Sequence, residues 1–298
     1  IRTHGRAAIT QAHDVLLGMT HVENADIFKT CVDYWWFLGD YLLSPRHGQH
    51  GTASQVKAML TEHLAALRVV LIKKMAKPEE IIIVEDESGE LTKEVMTDVA
   101  TVLLYTQMRE TLIFLTHLDQ RSMEAILMNL MAKQLDLSEW SWANLNGICW
   151  AYGAMSGALA QDMEKTFFVR FIRDLLTLVV NMKGKDNRAV IASNVMYVVG
   201  QYPRFLCAHP RFLRTVVNKL FEFMKEPFPG VMDMAVDTLL KINKNCAHVL
   251  WAEQCGVFAN EILNTIDSIT SELSQGQLHT FYQAMGYVIA VAPEPQEH

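Results

Sequence analysis

Apolar residues recur at helical spacing in nearly every window of this chain, and the breaks between windows are only about two to six residues long. That pattern leaves few folds open. Helices of near twenty residues joined by such short turns must run back and forth, and each needs a neighbour to cover its apolar face. The spacing predicts helices over roughly 6–18, 24–43, 53–75, 98–117, 121–135, 140–159, 163–182, 187–202, 209–225, 230–245, 257–272 and 276–291. Helix pairs repeating about every 40 residues match an α-solenoid better than a closed bundle. The expected fold is all-α, with residues 1–298 forming a single solenoid segment of antiparallel helix pairs.

Composition agrees with this reading and narrows the function. Half of the 298 residues are apolar, while eight prolines and 15 glycines are too few for a turn-rich all-β design. A net charge of −7 gives no global attraction to nucleic acid. Cys31, Cys149, Cys207, Cys246 and Cys255 are scattered without a CxxC pair, which reads as reduced thiols in a cytosolic or nuclear protein. No stretch reaches the ~18 consecutive apolar residues of a membrane helix, so a soluble chain is expected. The opening Ile1-Arg2-Thr3-His4-Gly5-Arg6 has neither an initiator Met nor a secretory apolar region, and the chain reads as an excerpt of a longer one.

One segment departs from the helical period. The β-branched run Ile81-Ile82-Ile83-Val84 meets the turn-forming Glu85-Asp86-Glu87-Ser88-Gly89, and Leu91 to Val95 follow. This predicts a β-hairpin inserted within residues 78–97, with an acidic tip at Glu85, Asp86, Glu87 and Glu90. The tip either stays solvated or faces a basic surface.

Catalytic and metal motifs are missing from the sequence. His47 and His50 form a lone HxxH with no Glu or Cys at ligand spacing, which predicts no metal site. Neither phosphate-binding glycine loops nor a nucleophile elbow occurs, and no cofactor is expected. A binding module is favoured over an enzyme.

Two helices carry apolar residues on two faces. Over 163–182, Phe168, Phe171, Leu175 and Leu178 form one stripe, and Ile172, Leu176 and Val179 a second. Over 209–225, Leu213, Val217, Leu220 and Met224 oppose Phe212, Val216 and Phe223. Two readings follow. Central helices of a layered protein are buried all round. Alternatively, the second stripes flank a slot that admits an amphipathic peptide, with Met196 at its floor and Lys185, Arg188, Arg211 and Lys219 around it.

At these residues the chain resembles the exportin-1 family of nuclear export receptors, in the importin-β/karyopherin superfamily. Gly184-Lys185-Asp186-Asn187, Ala192-Ser193-Asn194, Val199-Gly200-Gln201-Tyr202-Pro203-Arg204-Phe205-Leu206 and Thr215-Val216-Val217-Asn218-Lys219-Leu220-Phe221-Glu222-Phe223-Met224 carry the likeness. Met75-Ala76-Lys77-Pro78-Glu79-Glu80, Met108-Arg109-Glu110-Thr111-Leu112, Glu139-Trp140-Ser141-Trp142, Asp233-Met234-Ala235 and His279-Thr280-Phe281-Tyr282 extend it in the same order.

The resemblance implies HEAT-type repeats and a hydrophobic groove between two of them that takes leucine-rich nuclear export signals. Its lining would be Ile172, Leu176, Val179, Ala192, Met196, Phe205, Phe212, Thr215, Val216 and Phe223. Arg173, Lys185, Arg188, Arg211, Lys219 and Glu222 would stand at its rim. The family's hairpin senses the small GTPase Ran, so Ran-GTP would act with cargo in the full-length protein, alongside nucleoporins and Ran-binding proteins. The receptor would shuttle between nucleus and cytoplasm, without membrane or direct nucleic-acid binding. Many members carry a reactive groove cysteine where this chain has Val179, which predicts resistance to alkylating inhibitors.

Overall fold

The computed structural model describes residues 3–44, 52–226, 228, 230–252 and 257–291. His47, His50 and Cys255 lie outside the described residues. Among the described residues there are fourteen helices and one two-stranded sheet, so the fold is all-α with an inserted hairpin. No helix of the described residues is long and apolar enough to cross a membrane.

The chain divides into two compact units, and the division falls at Asp174/Leu175, with the hairpin residues 80–95 assigned to the second. The first unit begins with α1 (Thr3–Thr20), α2 (Ala25–Leu43), α3 (Thr52–Met59) and α4 (Thr61–Lys73). It continues through α5 (Val99–Leu118), α6 (Gln120–Leu135), α7 (Trp142–Ala154) and the first part of α8 (Gln161–Asn181). Its helix starts are written in side chains. Asn24 accepts from the Asp26 and Ile27 amides, each at 3.1 Å. Asp98, Asp119 and Ser141 cap α5, α6 and α7 in the same way, each satisfying an amide that the first helical turn leaves without a partner.

The core of this unit is aromatic where α7 meets α8. Tyr152 stacks on Phe171 at 4.0 Å between ring centroids, and Phe167 meets Tyr152 edge-on at 4.8 Å. The predicted single helix over 53–75 is two helices instead. Leu60 interrupts it with φ −102° and ψ 13°, and the Thr61 hydroxyl donates to the Lys57 and Ala58 carbonyls, competing with the regular ladder. The helix expected over 140–159 is shorter, ending at Ala154.

The second unit contains β1 (Ile81–Glu85), β2 (Leu91–Val95), the end of α8, and α9 (Lys185–Gln201). Then follow α10 (Pro203–Ala208), α11 (Pro210–Phe223), α12 (Val231–Ala252), α13 (Val257–Thr270) and α14 (Gln275–Ile289). Two points differ from the sequence expectation, the separate α10 and the longer α12. α10 is a separate short helix, because Pro203 and Pro210 each start a helix at a position where the missing amide costs nothing. α12 extends to Ala252 rather than ending near 245, and α14 starts at a capping box between Ser274 and Gln277.

The hairpin is antiparallel with Ile81 opposite Val95 and Ile83 opposite Lys93. Gly89, at φ 83°, closes its turn in the left-handed region that side chains disfavour. Ile82, Ile83 and Val84 are buried against α9 and α12, whereas most of β2 is exposed or half-exposed. A Cβ on Gly230 would stand 3.0 Å from Lys93 Cβ and 3.3 Å from Ile83 Cγ1, so glycine there permits the strands' close approach. Polar contacts complete the seat. The Ile83 amide donates to Ser193 Oγ at 3.3 Å, Lys93 pairs with Asp233 at 3.0 Å, and Glu80 accepts from Gln201 at 2.8 Å and Lys241 at 3.1 Å.

Candidate functional site

Helices α8, α9 and α11 of the second unit differ in how far they are covered. α9 is buried from Ala189 through Val199, as expected of a helix with neighbours all round. α11 is strongly two-sided, with Leu213, Val217 and Leu220 in the core while Phe212 and Val216 are half-exposed. On α8, Leu175 and Leu178 are buried, but Leu176 is 40% and Val180 80% exposed. Leu176 and Val180 are thus apolar side chains left exposed on this helix.

These helices line a cleft of about 340 Å³, open to solvent. Its apolar wall is built by Val179 and Val180 from the end of α8, Ala189 and Ala192 from α9, and Phe223 from α11. Phe228 and Val231, at the turn into α12, close one side. The α9 residues in this wall are small, and Phe223 adds an aromatic ring to it. Lys185, Arg188 and Lys219 stand at its edges with Glu226, and the exposed Glu222 pairs with Lys219. The local charge is positive on a chain whose net charge is −7.

Of the residues named from the sequence, the cleft gathers Val179, Ala192, Phe223, Lys185, Arg188 and Lys219. Leu176, Phe212, Thr215 and Val216 do not line it; they lie one or more turns back along α8 and α11, with Leu176 and Thr215 exposed. Thr215 Oγ1 donates to the Arg211 carbonyl at 3.1 Å, and Arg211 is exposed. Phe205 is buried, stacked on His209 at 4.2 Å and edge-on to Phe212 at 5.6 Å. Met196 is only 1% exposed and lines a narrow cavity with Glu80 and Lys241, not the cleft. Ile172, buried, and Arg173, exposed and 3.6 Å from Asp174, belong to the first unit.

Val180, Ala189, Glu226, Phe228 and Val231 were not singled out by periodicity. Val180 follows Val179 directly, on an edge that helical spacing assigns to solvent. Phe228 lies in Pro227-Phe228-Pro229-Gly230, and an aromatic within such a turn was the signal available for it.

The hairpin's acidic tip is exposed at Glu85, Asp86, Glu87 and Glu90. The Ser88 hydroxyl donates to the Asp86 carboxylate at 2.6 Å, and the Glu90 and Ser88 amides also donate to it, so this acid is held below its usual pKa. At its base, burial raises the Glu80 carboxyl, but Lys241, the backbone and Gln201 together outweigh it and leave the group below its usual value. Among the described residues no group of three or more His, Cys, Asp or Glu is placed to hold a metal.

Three family descriptions match the chain. "Chromosome region maintenance or exportin repeat" matches residues 7–42, "CRM1 / Exportin repeat 2" residues 56–123, and "CRM1 / Exportin repeat 3" residues 136–186. Exportin-1 of Dictyostelium discoideum is 48% identical over 288 residues, covering 95% of this chain and 27% of that protein. Exportin-1 of Schizosaccharomyces pombe is 43% identical, covering 97% of this chain and 29% of its own length. Exportin-1 of Drosophila melanogaster is 45% identical, covering 95% and 28%. The chain thus spans between 27 and 29% of the length of these relatives. Exportin repeats are HEAT-like, which agrees with the succession of helices in contact within each unit. By these matches, the chain belongs to the CRM1/exportin repeat family.

Proposed function

We propose that this chain is the part of a nuclear export receptor that holds leucine-rich nuclear export signals, in the cleft formed by α8, α9 and α11. The observation that carries the reading is an apolar wall of Val179, Ala192 and Phe223 edged by Lys185, Arg188 and Lys219. An amphipathic peptide with acidic flanks matches both features. Its apolar side chains enter the cleft and continue over the exposed Leu176 and the half-exposed Phe212 and Val216, with Thr215 and Arg211 alongside. Each fully buried side chain contributes ~1.5–3 kcal/mol before ordering costs are subtracted. The net affinity is then modest, as suits a carrier that must release its load.

In the full-length receptor, residues 1–298 act as one HEAT-repeat segment, and Ran-GTP is read by the hairpin carrying Glu85, Asp86, Glu87 and Glu90. Cargo and Ran-GTP then strengthen each other by a shared coupling free energy. Nucleoporins and Ran-binding proteins are further partners, and the receptor shuttles between nucleus and cytoplasm. The function is binding and transport, with no catalytic step and no cofactor.

The test is a fluorescence-polarisation titration of a labelled export-signal peptide. Val216→Glu places a charge on the half-exposed face, and Phe223→Ala removes the ring from the wall. Saturable binding lost in both variants, with helical content unchanged by circular dichroism, is the expected result. Binding that survives both substitutions assigns the peptide to another surface.

A further inference from the structure

Two cysteines that are far apart in sequence meet between α10 and α12. Cys207 is half-exposed and Cys246 is buried. The Cys207 thiol donates to the carbonyl of Asn245, the residue before Cys246, at 3.6 Å. The Cys246 thiol donates to the carbonyl of Pro203, one turn before Cys207, also at 3.6 Å. Each sulfur therefore sits against the backbone of the other's helix. Burial, with the neighbouring Cys207 thiol adding to it, pushes the Cys246 thiol well up. Neither residue lines the cleft.

We propose that Cys207 and Cys246 are a redox modification site, a dithiol that a peroxide converts to an intramolecular disulfide joining α10 to α12. The half-exposed Cys207 reacts first. Its sulfur attacks one peroxide oxygen, the O–O bond breaks, and the products are a sulfenic acid and one water. The Cys246 sulfur then forms the S–S bond as the S–O bond breaks, and the departing hydroxyl takes the Cys246 proton as a second water. The pair loses two electrons and the peroxide gains them. A protonated Cys246 is a poor nucleophile in solution, and its fixed position beside Cys207 offsets that handicap. Reduction by a small dithiol reverses the step by exchange.

The crosslink restrains α10, which carries Phe205 two residues before Cys207 in its stack with His209. The proposal does not depend on whether the cleft binds peptide.

The experiment exposes the folded 298-residue chain to hydrogen peroxide, alkylates the remaining thiols, and maps peptides without reduction. The expected product is one crosslinked peptide pair containing Cys207 and Cys246, lighter by two hydrogens and released by dithiothreitol, with a raised melting temperature for the oxidised protein. Cys207→Ser, on a half-exposed side chain, must melt like the parent under reducing conditions and lose the crosslink. In Cys246→Ser, Cys207 must be recovered as a sulfenic acid captured by dimedone. The proposal is overturned if both thiols stay alkylatable after peroxide, or if Cys207 passes to sulfinic acid while Cys246 remains free.

Discussion

The Lys219 ammonium lies 5.2 Å from the centroid of the Phe223 ring while it is ion-paired to Glu222, so one cation covers the aromatic wall of the cleft and is held there by its own helix. A bulky side chain seating on Phe223 must displace that cation, which costs on the order of 1 kcal/mol. Lys219→Ala is therefore expected to raise affinity for poorly matched peptides about fivefold, with less effect on well-matched ones. A peptide panel titrated against parent and variant checks this. A uniform change across the panel would mean that Lys219 acts only as a general positive charge.

Val179 lines the cleft and offers no sulfur to an electrophile. Cys149 is fully buried with its thiol pushed well up, so it is inert. Alkylating export inhibitors are expected to leave the cleft unmodified, whereas Val179→Cys gains one adduct there. Intact mass followed by peptide mapping decides the matter, and an adduct in the parent cleft refutes the expectation.

The hairpin's seat titrates in two directions. Glu80 lies below its ordinary value when folded, so its stabilisation is present above that value and is lost as acid brings the pH down through the folded pKa. Lys241→Ala removes one of its donors and is expected to speed amide exchange in β1 by about fivefold or less, since the pair is part-exposed. Hydrogen exchange at neutral pH and in acid below the ordinary carboxylate range should show the difference shrinking as Glu80 protonates.

Asp237 shows the opposite sign. Burial raises its carboxyl, and Asp233 and Glu80 add to this while Lys241 opposes it. Its charged form is then disfavoured in the fold, so it lowers stability as pH rises above the ordinary carboxylate range. Asp237→Asn should raise the melting temperature at neutral pH, and the gain should fade at acid pH where the native acid is already neutral.

Two glycines predict opposite outcomes on substitution. A Cβ on Gly147 in α7 would meet the Ile72 carbonyl at 2.8 Å, a backbone atom that cannot turn aside. Gly147→Ala should cost about 1–3 kcal/mol as α4 and α7 are pushed apart. Gly286, inside α14, has nothing within 4 Å of its would-be Cβ, and Gly286→Ala should stabilise by about 0.5–1 kcal/mol. Urea denaturation of the two variants gives both signs in one experiment.

Much of the helical frame was legible because its signals are local. Asn24, Asp98, Asp119 and Ser141 sit where a first helical turn needs acceptors. The β-branched run at 81–84 and the Asp86 turn mark the hairpin without reference to any other part of the chain. The break at Leu60 was not legible, because the apolar period runs through it and only the Thr61 hydroxyl disturbs the ladder. α10 was missed because a six-residue helix between two prolines is too short to display a period.

For the candidate site, periodicity identified the faces of α8 and α11 but not which of their residues form the wall. Met196 and Val180 illustrate the difference. Both are apolar residues on helices of the site, yet Met196 is buried toward Glu80 and Lys241 whereas Val180 is 80% exposed at the cleft. A helix repeats every 3.6 residues whatever surrounds it, so sequence alone determines where apolar faces lie. Which face is covered depends on groups that the chain brings from far away. The Ile83 amide reaches Ser193 across 110 residues of sequence, and Cys207 finds Asn245 and Cys246 on another helix. Those meetings depend on packing many side chains at once, and the tertiary structure alone decides them.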